Sequence, residues 1–318
     1  MAQKKQSLKP DTILKNYWRD NERFADFFNA VLFEGKQIIK PEELEDRDSE
    51  ESSILEHREY VKSIQASRDN IKIRKKSTVY GIEFVMFGLE HQEHIHYAMP
   101  MRVMGYDYGF YKKQYDTNAE KCKSLKGLEN DEYLSGMRKT DKFTAVITVV
   151  VYYGEKPWDG ATTLHEMLNI PREMEKYVSD YKMILIEARK NDLTLHNVNN
   201  IDFFNLLGII LDRDIPRNEA REKAIQYSED HGTDKSVIMT VAGATNSKID
   251  YNAFEKGDGR MCTLFDEIRV EGRAEEIIET GFEFGLSEND IVERLQNKLN
   301  ISLQMAQEYL TRFGKQTV

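Results

Sequence analysis

Apolar side chains recur at helical spacing through Ile13, Leu14, Tyr17, Trp18, Phe24, Phe27, Phe28, Val31 and Leu32, which predicts one helix over 11–33 with Asp11 as N-cap. Gly35 ends it. The pattern then changes period. From Arg68 to Arg74 the residues alternate, with Asp69, Ile71 and Ile73 on one face and Asn70, Lys72 and Arg74 on the other, as in a half-buried strand. A turn over 75–78 leads into a second strand, apolar from Ile82 to Leu89 and ending at Glu90.

A helix follows over 99–114, with Pro100 tolerated in its first turn. Phe143–Tyr153 is the most β-prone run in the chain and turns apolar on both faces after Thr148, so it belongs in the middle of a sheet covered by helices. Gly154 closes it, Pro157-Trp158 opens a loop, and Lys182–Ala188 reads as one more strand. The remainder is helical, with stretches at 202–211 and 216–227 and a polar, Gly-containing linker at 246–258. A charged amphipathic helix then spans 264–284 and stops at Gly285. Ser287 and Asp290 form a capping box before a helix over 288–299, and Ser302 caps a last helix to Phe313.

Composition narrows the class. At 318 residues the chain is long enough for one main domain with an appendage, and 40% hydrophobic with 31% charged residues is ordinary for a folded protein. A formal net charge of -10 argues against a protein that coats nucleic acid nonspecifically. It leaves room for a nuclease, whose carboxylates add acid while a local basic patch holds phosphate. The dense basic run is Lys72–Lys76, next to the predicted hairpin, and the acid-rich stretch 41–51 reads as a solvated loop. Cys122 and Cys262 form neither a CxxC pair nor a disulfide framework, which suits a reducing cytoplasm. No stretch has the length of a membrane span, and the N-terminus lacks the apolar core of a signal peptide.

The candidate chemistry sits at the end of the second strand. Alternation puts Glu90 and Gln92 on one face and His91 on the other, and the hairpin brings Asp69 to the same end. Two carboxylates on adjacent strands are hard oxygen donors of the kind Mg²⁺ takes together with a substrate phosphate. His91, His94 and His96 offer a competing zinc reading, but no HExxH is present. There is also no GxxxxGK[ST], no dinucleotide fingerprint and no Gly-x-Ser-x-Gly elbow.

Asp69, Gly88-Leu89-Glu90-His91-Gln92, Met99-Pro100-Met101-Arg102 and the strand Ile147–Tyr153 with Gly154 and Pro157-Trp158 together resemble the recombination-promoting nuclease (Rpn) family of the PD-(D/E)XK superfamily, whose members often carry a transposase label. The resemblance covers roughly residues 20–160. It implies an α/β fold with a restriction-endonuclease-like core, a mixed sheet flanked by helices, and a helical C-terminal region. The expected division is a core over 1–200, a helical extension over 201–245, a linker over 246–263 and a helical tail over 264–318, the tail being a candidate for self-association. The implied activity is Mg²⁺-dependent hydrolysis of DNA in recombination or mobile-element movement. Asp69 and Glu90 would hold the metal. Gln92 stands where the wider superfamily has Lys, so it can orient water but carries no charge. Lys72 and Arg102 are the candidates for the missing cation, Arg102 being favoured because alternation points Lys72 to the opposite face of its strand, and Tyr106, one turn beyond Arg102, either holds it or packs. An acid near the N-terminal Phe, Glu22 or Asp20, is the family's further acidic position. The rival reading, motivated by Gln92 and the acidic balance, is a catalytically weak DNA-binding or assembly protein on the same fold.

Overall fold

The computed structural model describes residues 10–47, 70–89, 95–190, 192–245, 254, 257–299 and 301–314. Helices α1 (Pro10–Arg19) and α2 (Asn21–Phe33) precede strands β1 (Leu44–Asp46), β2 (Asn70–Ser77) and β3 (Glu83–Leu89). Helices α3 (Met99–Ser124) and α4 (Asn130–Ser135) lead to β4 (Val146–Tyr152), and β5 (Ile184–Glu187) follows a long irregular connection. The rest is α5 (Val198–Ile210), α6 (Arg217–His231), α7 (Lys235–Ala244), α8 (Met261–Glu283), α9 (Glu288–Leu299) and α10 (Leu303–Phe313).

The strands form one sheet in the order β1-β2-β3-β4-β5. The first two pairings are antiparallel and the last two parallel, so the sheet is mixed. Helices cover both faces. On one, Phe84, Met86, Val149, Val151 and Tyr153 meet α1, α2, α5 and α7 in an aromatic-rich core around Trp18, Phe27, Phe28 and Phe203. On the other, Val85, Val150 and Tyr152 pack against Met99, Val103 and Phe110 of α3. A separate third core joins Ala274 and Ile278 of α8 to Ile291, Leu295, Ala306, Tyr309 and Phe313 of α9 and α10. This is the α/β architecture with a helical C-terminal region that the sequence implies.

Three departures have physical causes. The single helix expected over 11–33 is two, broken at Asp20, whose side chain accepts from the Arg23 backbone N–H at 3.0 Å. The break releases the Arg19 carbonyl, which accepts from Lys75 Nζ at 2.7 Å. That ammonium also donates to Asn21 Oδ1 at 2.7 Å and Asp46 Oδ1 at 2.5 Å, and the Lys75 side chain is 0% exposed. Lys75 therefore continues β2 instead of turning, and Ser77 does the same by donating to buried Glu43 at 2.9 Å. The stretch read as a solvated acidic loop is in part an edge strand, Leu44–Asp46, that clamps β2.

The basic run is likewise an internal feature: Arg74 pairs with Glu83 at 2.5 Å, both side chains 9% exposed, and lies over the Phe110 ring. Neighbouring residues of one strand thus fasten opposite faces of the hairpin. The helices beyond residue 200 are not appended to a finished core. Phe203, Leu206 and Leu207 of α5 and Val237 and Val241 of α7 belong to the same cluster as the sheet. Helix α7 itself carries no charged residue after Lys235, and residues 237–244 are all buried. Its start is capped by Asp234, which accepts from Ser236 N–H at 2.8 Å. Phe254 and Met261, in the span read as a linker, are buried in that core too.

Two substitutions test this arrangement. Asp46→Asn leaves the buried ammonium without a counter-charge and is expected to cost roughly 2–3 kcal/mol, with Lys75→Met non-additive with it in a double-mutant cycle read by urea denaturation. Gly272, mid-way along α8, has open space where a Cβ would stand. Gly272→Ala should therefore raise stability by about 0.5–1 kcal/mol, measured the same way.

Candidate functional site

The register of the sheet gathers one end of four strands. Asn70, the first residue of β2, pairs with Leu89, the last of β3. Leu89 pairs in turn with Tyr152, the last of β4, and Tyr152 with Glu187, the last of β5. The carboxyl ends of adjacent parallel strands open into the crevice where α/β sheets bind ligands. Asp69, Glu90, Gln92, His91 and His94 lie outside the described residues, so what the structure supplies is the pairing of the positions adjoining them in the chain, Asn70 and Leu89.

Arg102 sits in the first turn of α3, and its guanidinium donates to the Tyr106 hydroxyl at 3.3 Å. Tyr106 packs against the core that holds Val150 and Tyr152. Partial burial and then the Arg102 charge lower the pKa of His96 below its ordinary value. A histidine so placed is predominantly neutral at pH 7.

Glu22 is exposed in the first turn of α2. Its neighbour Asn21 is tied to Lys75 and to the carbonyls of Pro41 and Leu44. Lys75 lies five residues along β2 from Asn70, or roughly 17 Å at about 3.3 Å per residue. Asp20 is occupied as the cap of α2. The two N-terminal acids thus gather at the turn end of the hairpin, away from Asn70 and Leu89.

The side chains that finish β4 and β5 form a group that sequence reasoning missed. Glu187 Oε2 accepts from the Trp158 backbone N–H at 3.1 Å and from Arg189 Nε at 3.2 Å. The Trp158 indole meets the Tyr152 ring edge-on at 5.3 Å. Its Nε1 is a buried donor with no hydrogen-bond partner among the described residues. Tyr97 donates weakly to Asp159 at 3.5 Å, which ties the segment before α3 to the loop after β4. Burial first, then the Glu187 and Asp159 charges, raise the Tyr152 phenol pKa, with Arg189 opposing. The signal for this group was Pro157-Trp158 after one strand and a carboxylate as the last residue of the next.

Deeper under α3, buried Asp107 accepts from the Thr148 hydroxyl at 2.6 Å and from the Tyr181 hydroxyl, locking that helix to β4 and to the segment before β5. Among the described residues no three His, Cys, Asp or Glu side chains cluster in a way that would hold a metal.

A mixed sheet with an antiparallel hairpin leading into parallel strands, and helices on both faces, is consistent with an α/β nuclease-like fold. The family model described as "Putative transposase, YhgA-like" matches residues 9–222. The chain belongs to that family, the Rpn/YhgA group of the PD-(D/E)XK superfamily. No curated protein and no solved structure matches it. Among the described residues no helix is long and apolar enough to cross a membrane.

The pairing of Arg102 with His96 is open to titration. Arg102→Gln should raise the His96 pKa part of the way toward 6.5, burial supplying the remaining depression, as read by NMR of the imidazole. Since the folded chain binds this proton less readily than the unfolded one, the His96 contribution to stability is full above pH 6.5 and is lost as pH falls through and below it. The unchanged protein should show that loss, and Arg102→Gln should reduce it.

Proposed function

We propose that this protein is a Mg²⁺-dependent endonuclease that hydrolyses phosphodiester bonds in DNA, working in recombination or the movement of mobile elements. The observation that carries the reading is the pairing of Asn70 with Leu89, because it makes positions 69 and 90 the next in chain at one open end of the hairpin. Membership of a transposase and nuclease type family supports it.

In this reading Asp69 and Glu90 hold the ion, and their carboxylates are the hard oxygen donors that Mg²⁺ takes. The ion, when bound, supplies acidity to a coordinated water and offsets charge on the phosphate under attack. Gln92 orients that water through its amide, since it can neither carry charge nor serve as a base. Arg102 supplies the fixed cation, pre-organised by Tyr106 so that little side-chain freedom is lost when phosphate arrives. Glu22 takes no ligand role, given the length of β2 between its neighbourhood and Asn70. The residues Tyr152, Trp158 and Glu187 wall the adjacent strand ends, and among the described residues the buried Trp158 indole N–H has no acceptor.

A second reading, a DNA-binding or assembly protein with little turnover, is favoured by the absence of a lysine at position 92. Nicking of supercoiled plasmid with Mg²⁺, abolished by EDTA, distinguishes the two. The expected result is cleavage that Asp69→Ala or Glu90→Ala lowers about a thousandfold, several kcal/mol of transition-state stabilisation. Arg102→Gln should lower it roughly tenfold to a hundredfold. An Asp69→Ala protein that cuts as fast as the unchanged one overturns the proposal.

A further inference from the structure

The third core supports a feature that the nuclease reading leaves unused. Between α8 and α9 lies a cleft of about 310 Å³ lined by Arg273, Glu276, Ile277, Thr280, Arg294 and Lys298. Arg273, Ile277 and Thr280 follow one another at helical spacing on α8, and Arg294 and Lys298 are one turn apart on α9. Two helix faces thus present their cations to the same hollow. The buried contacts of Ala274, Ile278, Ile291 and Leu295 directly behind them fix how the faces meet.

The arrangement opposes the chain's overall balance. Three cations less one carboxylate leave this cleft at a formal +2, on a protein whose net charge is -10. Like charges at i and i+4, as in Arg294 and Lys298, repel one another along the helix, and Arg273 across the cleft adds to that repulsion. All three are exposed, and among the described residues none of them has an ion-pair partner. In the hairpin the comparable basic residues are consumed internally, Lys75 by Asp46 and Arg74 by Glu83. The cleft's charge is available to an outside anion. Its guanidinium groups suit the two-oxygen face of a phosphodiester, and the Thr280 hydroxyl adds a neutral donor. A run of three cations across two helices fits successive phosphates of a polymer better than one small ion.

We propose that the α8–α9 cleft is a second contact for the phosphate backbone of duplex DNA, made by Arg273, Arg294 and Lys298 and separate from the strand-end site. It lies outside residues 9–222, the part of the chain that the family model matches. The proposal rests on the reading of this protein as one that acts on DNA, and it assigns the C-terminal helices the task of holding the duplex while the strand-end site reacts.

The test is binding of a labelled duplex of about 30 base pairs to the full-length protein in EDTA, followed by fluorescence anisotropy across a salt series. The triple variant Arg273→Gln, Arg294→Gln, Lys298→Gln should bind roughly tenfold more weakly at low salt, and its log K against log salt slope should be shallower by about 2.7, at about 0.9 for each phosphate no longer neutralised. The charge-preserving pair Arg273→Lys, Arg294→Lys should keep the slope. Lys121→Gln, Lys123→Gln, Lys126→Gln removes the same charge from the exposed end of α3 and should change both quantities far less. An unchanged slope in the first variant, an equal loss in the control, or no duplex binding by the unchanged protein overturns the proposal. Because no metal is present, a shallower slope in the first variant upholds this role for the cleft even if plasmid cleavage is never observed. The expected shallower slope together with no effect of Asp69→Ala on cleavage would instead strike the nuclease reading alone.

Discussion

The ammonium of Lys75 is removed from water and surrounded by three acceptors drawn from three elements: the end of α1, the start of α2 and the edge strand β1. A buried charge of this kind persists only when its partners are in place, so its position and theirs are mutually required. One consequence is the chain break at Asp20, which gives up a continuous helix so that the Arg19 carbonyl can turn to Lys75. Another is the register of β1 on β2, with Asp46 opposite Lys75. A third is the continuation of β2 to Ser77, which sets how far the hairpin extends and therefore which residues stand at its open end. The candidate site is positioned from the far end of the strand by this contact.

The adjoining Arg74 makes the opposite attachment, to Glu83 across the hairpin and to the Phe110 ring of α3. Alternation along one strand thus sends successive cations into the two helical layers. Asp107 repeats the device one strand over, holding α3 to Thr148 and Tyr181. On the first face, Tyr17, Asn200, Asp26 and the His196 backbone N–H form a comparable buried network between α1, α2 and α5. Each of these polar groups is satisfied, and satisfied buried networks fix one arrangement of layers where apolar packing alone would tolerate several.

Periodicity made most of the strands legible. The alternation about Ile73 and the doubly apolar Val149–Val151 run identify β2 and β4, and the resemblance implies the mixed sheet to which both belong. What periodicity could not reveal was tertiary use of polar residues. A Lys at position 75 and an acid at position 43 read as turn and loop because their partners are distant in sequence. The same limit hid α7, which is buried from Val237 to Ala244 and has only Ser236 and Thr240 as polar positions after Lys235, too few to mark its period. At the site, Arg102 with Tyr106 followed from their spacing of four. Glu187 and Trp158 did not, since only the parallel pairing of β4 and β5 brings them together.

Helix α8 connects the two halves of the molecule in a direct way. Met261 and Leu264 at its start are buried in the sheet's core, whereas Ala274 and Ile278 belong to the third core. Twenty-three residues at about 1.5 Å each make it roughly 35 Å long, so it carries the C-terminal helices well clear of its own anchorage. Gly272 lies within the stretch that meets the third core, between Val270 and Ala274, and has no packing neighbour that would demand a glycine. Helix α8 is thus the one element that takes part in both cores, its first turns fixed on the core that carries the strand ends and its later turns on the core that the C-terminal helices share.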